Sequence, residues 1–85
     1  MNFIRIPEQL GTILRAARLR QGLTQADIAL QLGVSTQAVS KLESHAGRAS
    51  FDRILRLCLL LGLDIGLEPR QARAGRDNGK PAAEW

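Results

Sequence analysis

Thr36, Gln37, Ser40, Lys41 and Ser44 fall on one side of a 3.6-residue period. Their chemistry is recognition. A Gln amide donates and accepts in the bidentate pattern of an adenine edge, a Thr methyl can touch a thymine methyl, and a Lys ammonium reaches guanine acceptors or phosphate. Gln25 and Ser35, with the amides of two predicted helix N-termini, suit phosphate oxygens, which fix register without reading sequence. No carboxylate interrupts this face, so a merely solvated polar face ranks below contact with nucleic acid. Cys58, on the inward side of a predicted helix, reads as a packing residue and not a nucleophile. His45 has no metal or catalytic companions. One Cys and one His cannot assemble a zinc or haem site, and no cofactor, metal or catalytic residue is expected.

Length and composition narrow the rest. A chain of 85 residues buries only about 60–65% of the surface its unfolded form exposes, which argues for one domain and against a large catalytic cleft. Apolar residues are 45% of the total but aromatics only 4%, so the core must be built of Leu, Ile and Ala. Twelve Lys and Arg against eight Asp and Glu leave a net charge of +4 and a pI near 10.6, a balance that suits a polyanionic partner. The start of the sequence has no long apolar stretch after a basic residue, and the run Leu57 to Leu61 is too short for a bilayer. No membrane association and a reducing cytoplasmic location are expected.

The elements that must position the recognition face follow from caps and periodicity. Pro7 and Glu8 open a first helix with Leu10, Ile13, Leu14 and Ala17 on one side, and Gly22 closes it. Thr24 with Asp27 resembles a capping box for a short second helix that ends at Gly33. Ser35 caps a third helix, burying Val39 and Leu42 and running to about Ser44. His45 to Arg48 reads as a loop, and Ser50 caps a fourth helix ending at Gly62. Its predicted inward face is Phe51, Ile54, Leu55, Cys58 and Leu61, with Leu57 and Leu60 in surplus as a dimer surface. Leu63, Ile65 and Leu67 alternate with polar residues up to Pro69, the period of a strand. That strand needs a partner, either residues 3–6 or a second chain, and Leu63, Ile65 and Leu67 join the predicted dimer surface. Residues 1–69 form the expected domain, and 70–85 an aperiodic flexible tail ending in Trp85.

Between Gln25 and Ser44 the pattern is more specific. Two short helices joined by a tight turn need a small residue where they cross, a left-handed glycine in the turn and a β-branched wedge on the second helix. Ala29, Gly33 and Val39 occupy those places, and Ile28, Leu32, Val34 and Leu42 supply the other buried positions. This is the pattern of a helix-turn-helix.

From Leu14 to Leu63 the sequence resembles the Cro/C1-type helix-turn-helix family. The resemblance rests on Arg15, Arg18, Gly22-Leu23-Thr24-Gln25, Ile28-Ala29, Leu32-Gly33-Val34-Ser35, Val39-Ser40 and Glu43. It implies an all-α domain of four to five helices, dimeric, binding double-stranded operator DNA with the Thr36-to-Ser44 helix in the major groove. It also implies a partly buried ion pair between Arg18 and Glu43, although Arg18 could equally meet phosphate. The family continues from Glu43 into a tight glycine turn, whereas Ser44-His45-Ala46-Gly47 delays the glycine and leaves that loop open.

The flanks resemble those of HipB-like antitoxins within that family. The resemblance implies a terminal strand paired across a homodimer, a HipA-type serine/threonine kinase toxin as partner, and Trp85 as an anchor on it. A stand-alone phage- or plasmid-type repressor, or an interaction module that no longer binds DNA, are the alternatives.

Overall fold

The computed structural model describes residues 3–70. Four α-helices follow one another, α1 (Pro7–Arg20), α2 (Gln25–Leu32), α3 (Thr36–Ser44) and α4 (Phe51–Leu60), with a single 3-10 turn at Ala46–Arg48 between the last two. Local chemistry explains each boundary. Pro7 sits in the first turn of α1, where its missing N–H costs nothing, and the Gln9 side chain turns back to accept from the backbone N–H groups of Arg5 and Ile6. At the far end Gly22 is left-handed (φ 73°), and the N–H groups of Gly22 and Leu23 donate to the carbonyls of Leu19 and Arg18. The end of α4 repeats this arrangement at Gly62, with Leu63 N–H donating to the Cys58 carbonyl at 2.8 Å. Ser50 caps α4 by accepting from Arg53 N–H.

The core is aliphatic. Leu14 and Ala17 of α1, Ile28 and Ala29 of α2, Val39 and Leu42 of α3, and Ile54, Leu57, Cys58 and Leu61 at α4 form one buried cluster, joined by Ala46 of the 3-10 turn. Two glycines allow backbones to meet around it. A Cβ at Gly11 of α1 would collide with the Glu43 carbonyl of α3, and one at Gly47 would come within 2.9 Å of the Pro7 ring. The first contact presses α1 against the end of α3, and the second pins the 3-10 turn to the start of α1.

The fourth helix corrects the sequence reading. Its buried stripe is Ile54, Leu57, Cys58 and Leu61, a regular i, i+3, i+4, i+7 set. Leu57 is 1% exposed and therefore a core residue, not part of a dimer surface; rotating the stripe to include it leaves Phe51 outside, 65% exposed. Leu60 and Leu63 are half-buried against the core, while Leu59, Ile65 and Leu67 are exposed. The described residues contain no strand: 63–68 has no ladder partner, and residues 3–6 do not supply one. The predicted tail lies outside the described residues from position 71 onward, and Trp85 with it.

Burial of Leu57 has a measurable consequence. Leu57→Ala should destabilise the protein by about 2–5 kcal/mol, whereas Leu30→Ala, at a position 83% exposed, should change stability by no more than about 0.5 kcal/mol. Urea denaturation of the two variants beside the wild type checks both; equal costs would place Leu57 outside the core.

Candidate nucleic-acid interface

The recognition face is held by the turn between α2 and α3. Thr24 Oγ1 accepts from Asp27 N–H at 3.0 Å while Asp27 Oδ2 accepts from Thr24 N–H at 2.8 Å, which closes the start of α2. These bonds favour the ionised form and hold the Asp27 carboxyl below its ordinary range. Gly33, at φ 73°, then reverses the chain, with Gly33 and Val34 N–H groups both donating to the Ala29 carbonyl. Two residues later Ser35 Oγ accepts from Ala38 N–H at 3.0 Å and starts α3.

Because α3 buries Val39 and Leu42, its other side is turned outward. Thr36, Gln37, Lys41 and Ser44 are exposed and Ser40 is half-buried, so the residues singled out from the sequence share one surface. Ser44 Oγ donates to the Ser40 carbonyl and lies 2.9 Å from His45 Nδ1, which ties the end of the helix to the following residue. Gln25 differs. It is half-buried, and its Nε2 donates to Glu43 Oε1 at 3.1 Å.

That bond belongs to a larger node. Arg18 Nε donates to Glu43 Oε2 at 2.6 Å and Arg18 Nη2 to Glu43 Oε1 at 3.1 Å, a bidentate pair with both side chains under 10% exposed (8% and 5%). Arg18 Nη1 donates in addition to the Leu23 carbonyl at 2.9 Å. The guanidinium pKa is raised, chiefly by the hydrogen bond to Glu43. One carboxylate thus collects donors from α1 and α2, and one guanidinium also fixes the turn between them.

Grooves flank α3 on both sides. One, between α3, the 3-10 turn and α4, is lined by Lys41, His45, Arg48, Ser50 and Arg53 among others, with no carboxylate in its wall. The other, against α1, carries Arg15 beside Ser40, Ser44 and the charge-paired Glu43. Sequence reasoning did not assign His45, Arg48 or Arg53 to the interface; the signal that could have found them is the two arginines flanking the Ser50 cap. Among the described residues no cluster of His, Cys, Asp and Glu could hold a metal ion, and no helix is long and apolar enough to cross a membrane. Cys58 is buried, which pushes its thiol pKa up and disfavours the reactive thiolate.

The family described as Helix-turn-helix matches residues 14–67, well over half of the chain. The chain belongs to this Cro/C1-type helix-turn-helix family. Its fold is that of a DNA-binding regulator. Among solved structures, a chain described as a HipB-O1-O2 complex superposes with a TM-score of 0.75 at 22% identity, covering 81% of this chain and 100% of its own. That likeness is one of fold. No curated protein matches the chain significantly.

Removing one partner of this buried pair has a measurable cost. Glu43→Ala should destabilise by about 3–5 kcal/mol, because it strands the Arg18 guanidinium in the interior. Converting both residues to apolar ones should cost less than the single change, and a double-mutant cycle by denaturant titration measures the difference. Additive losses would mean that the pair is not coupled.

Proposed function

We propose that the protein is a sequence-specific transcriptional repressor that binds operator DNA as a homodimer and serves as a HipB-like antitoxin against a HipA-type kinase. The observation that carries the DNA reading is the outward surface of α3, polar, basic and free of carboxylates, on a helix whose rotation is locked from behind by Glu43. A helix of this kind fits the major groove with its side chains on base edges. In this reading Gln37 reads a base, Thr36, Ser40 and Ser44 add polar and methyl contacts, Lys41 reaches guanine or phosphate, and Ser35 donates to phosphate. Gln25 donates one amide N–H to Glu43, and in this reading its second N–H serves a phosphate oxygen.

Exposed Phe51, Leu59, Ile65 and Leu67 support the dimer. Unpaired apolar surface of this kind, next to a chain segment with unused backbone hydrogen bonds, is stabilised when two copies bury it about a two-fold axis. The antitoxin role rests on the resemblance of the flanks to HipB-like proteins and on the fold shared with the HipB chain. Repression and toxin neutralisation fit together physically, since DNA occupies the α3 side and leaves the opposite side and the tail for a second partner.

Two experiments test this reading. A footprint on the promoter region of the protein's own gene should show an inverted repeat with half-sites about 10 bp, or a multiple of that, apart. Gln37→Ala should cost about 1–3 kcal/mol of operator affinity and relax the preference at one base position; an unchanged preference at every position would remove α3 from the readout. Separately, the chain should co-purify with the product of an adjacent kinase-like reading frame, and Trp85→Ala should weaken that complex while leaving DNA binding intact. If no such complex forms, the protein is a stand-alone repressor.

A further inference from the structure

Two units meet in the described residues. Helices α1, α2 and α3 are tied to one another through Arg18, Gln25 and Glu43, and they carry the recognition face. The exposed apolar residues assigned to the dimer, Phe51, Leu59, Ile65 and Leu67, all lie on α4 or on the segment that follows it. Aliphatic packing around Ile54, Leu57, Cys58 and Leu61 joins the second unit to the first, and such packing is strong but non-directional. Direction must come from hydrogen bonds. Among the described residues two of them cross from α4 and its end to the first three helices. Arg56 Nη2 stands 3.5 Å from the Leu32 carbonyl at an exposed position, the outer limit of bonding distance. Gln21 Nε2 donates to the Leu61 carbonyl at 2.8 Å, and the backbone N–H of Gln21 is itself held by the Ala17 and Arg18 carbonyls of α1.

From this arrangement we infer that Gln21 is a positioning residue for operator recognition: by tying the end of α1 to the end of α4 it fixes the recognition helix relative to the two-fold axis, and with it the half-site spacing that the dimer accepts. The inference rests on the DNA-binding and dimer reading and deepens it. The Leu61 carbonyl is one of those that a helix end leaves without an intrahelical partner, so it takes an outside donor at no cost to α4. Its place matters. Leu61 is where α4 passes into the 63–68 segment, while the last turn of α1 holds both Gln21's bond to it and Arg18's bonds to Glu43 of α3. At its other end α4 is joined to α3 through the 3-10 turn, which Gly47 sets against Pro7. One end of α4 is thus held by the chain itself and the other by Gln21. A helix of 10 residues is about 15 Å long, so a tilt of about 13° about its start carries its far end about 3.4 Å, the rise of one base pair. The two recognition helices of a dimer must meet half-sites at one separation. A repeat one base pair too long or too short therefore works against the Gln21 bond in each protomer. A bond that served stability alone would change affinity equally at every spacing.

The test is a spacing profile. Affinity is measured by fluorescence anisotropy on duplexes that carry the inverted repeat of the protein's own promoter, with the half-sites moved together or apart by one and two base pairs. The quantity read is the ratio of affinity at the best spacing to that at its neighbours, and analytical ultracentrifugation reports assembly alongside it. Gln21→Met keeps the length of the side chain and removes the donor. It should remain a dimer and lower the ratio by about 2–10-fold for each protomer's bond, the worth of one neutral hydrogen bond. Gln21→Lys supplies a donor of sufficient reach again and should return the ratio toward the wild type. A wild type that prefers one spacing while Gln21→Met keeps the full ratio overturns the role of Gln21 and leaves the dimeric repressor standing. A wild type that is monomeric, or that shows no preference among spacings, overturns the dimer reading and the inference with it. A monomeric Gln21→Met protein means that the residue acts on assembly, and a ratio lowered equally in Gln21→Lys means that it acts by packing; either result overturns the inference.

Discussion

Everything outward on α3 depends on the carboxylate of Glu43. Three donors converge on it, two from Arg18 and one from Gln25, while the remaining arm of Arg18 holds the Leu23 carbonyl. Helices of eight and nine residues such as α2 and α3 are unstable alone, since nucleation is not recovered in so few turns. Tertiary contacts must therefore decide both their existence and their rotation. A buried ion pair adds little net stability over an apolar pair but is strongly directional. Here that direction connects α1, the following turn, α2 and α3 through one group. The contact of Gly11 with the Glu43 carbonyl works on the same residue from the backbone side. Side chain and main chain of Glu43 together fix which way Gln37 and Lys41 face.

What the sequence made legible was mostly local. Thr24, Ser35 and Ser50 each accept a backbone N–H three residues on, and Gly22, Gly33 and Gly62 are left-handed, because caps and reversals are decided within a few residues. The crossing of α2 and α3 was also readable, since Ala29 and Val39 are selected by close approach. The rotation of α4 was not. A helix bearing Phe51, Ile54, Leu55, Leu57, Cys58, Leu59, Leu60 and Leu61 has more apolar positions than one face can hold, and only packing against the other three helices picks Leu57 over Phe51. The segment after Gly62 has the period of a strand, yet ladder hydrogen bonds need a second strand that the described chain does not contain. The delayed glycine was visible as an anomaly; that it builds a 3-10 turn against Pro7 is a tertiary fact.

The candidate site divides along the same line. Periodicity alone gathered Thr36, Gln37, Ser40, Lys41 and Ser44, because side chains on one helix keep their relation whatever the surroundings. Gln25 required the fold, since its amide turns to Glu43, a residue 18 positions away. Arg48 and Arg53 required it too, because their common groove has walls from three elements.

The placement of acids explains how a small basic domain keeps one helix end open to an anion. Three helices carry an acidic residue in the first turn, Glu8 in α1, Asp27 in α2 and Asp52 in α4, where a carboxylate offsets the positive end of the helix dipole. The first turn of α3 has none, and its cap is the neutral Ser35. Omitting the acid there forgoes about 0.3–1 kcal/mol of helix stability, a loss that burial of Val39 and Leu42 in the core offsets. In exchange, the amides at the start of α3 retain their partial positive charge on the same side as Lys41. An Asp or Glu at Thr36 or Gln37 would stabilise the free helix and repel a phosphate at the same point. The sequence of α3 is therefore suboptimal for an isolated helix and well suited to one whose N-terminal turn meets a polyanion, with its stability drawn from the buried Val39 and Leu42 and its rotation set by Glu43.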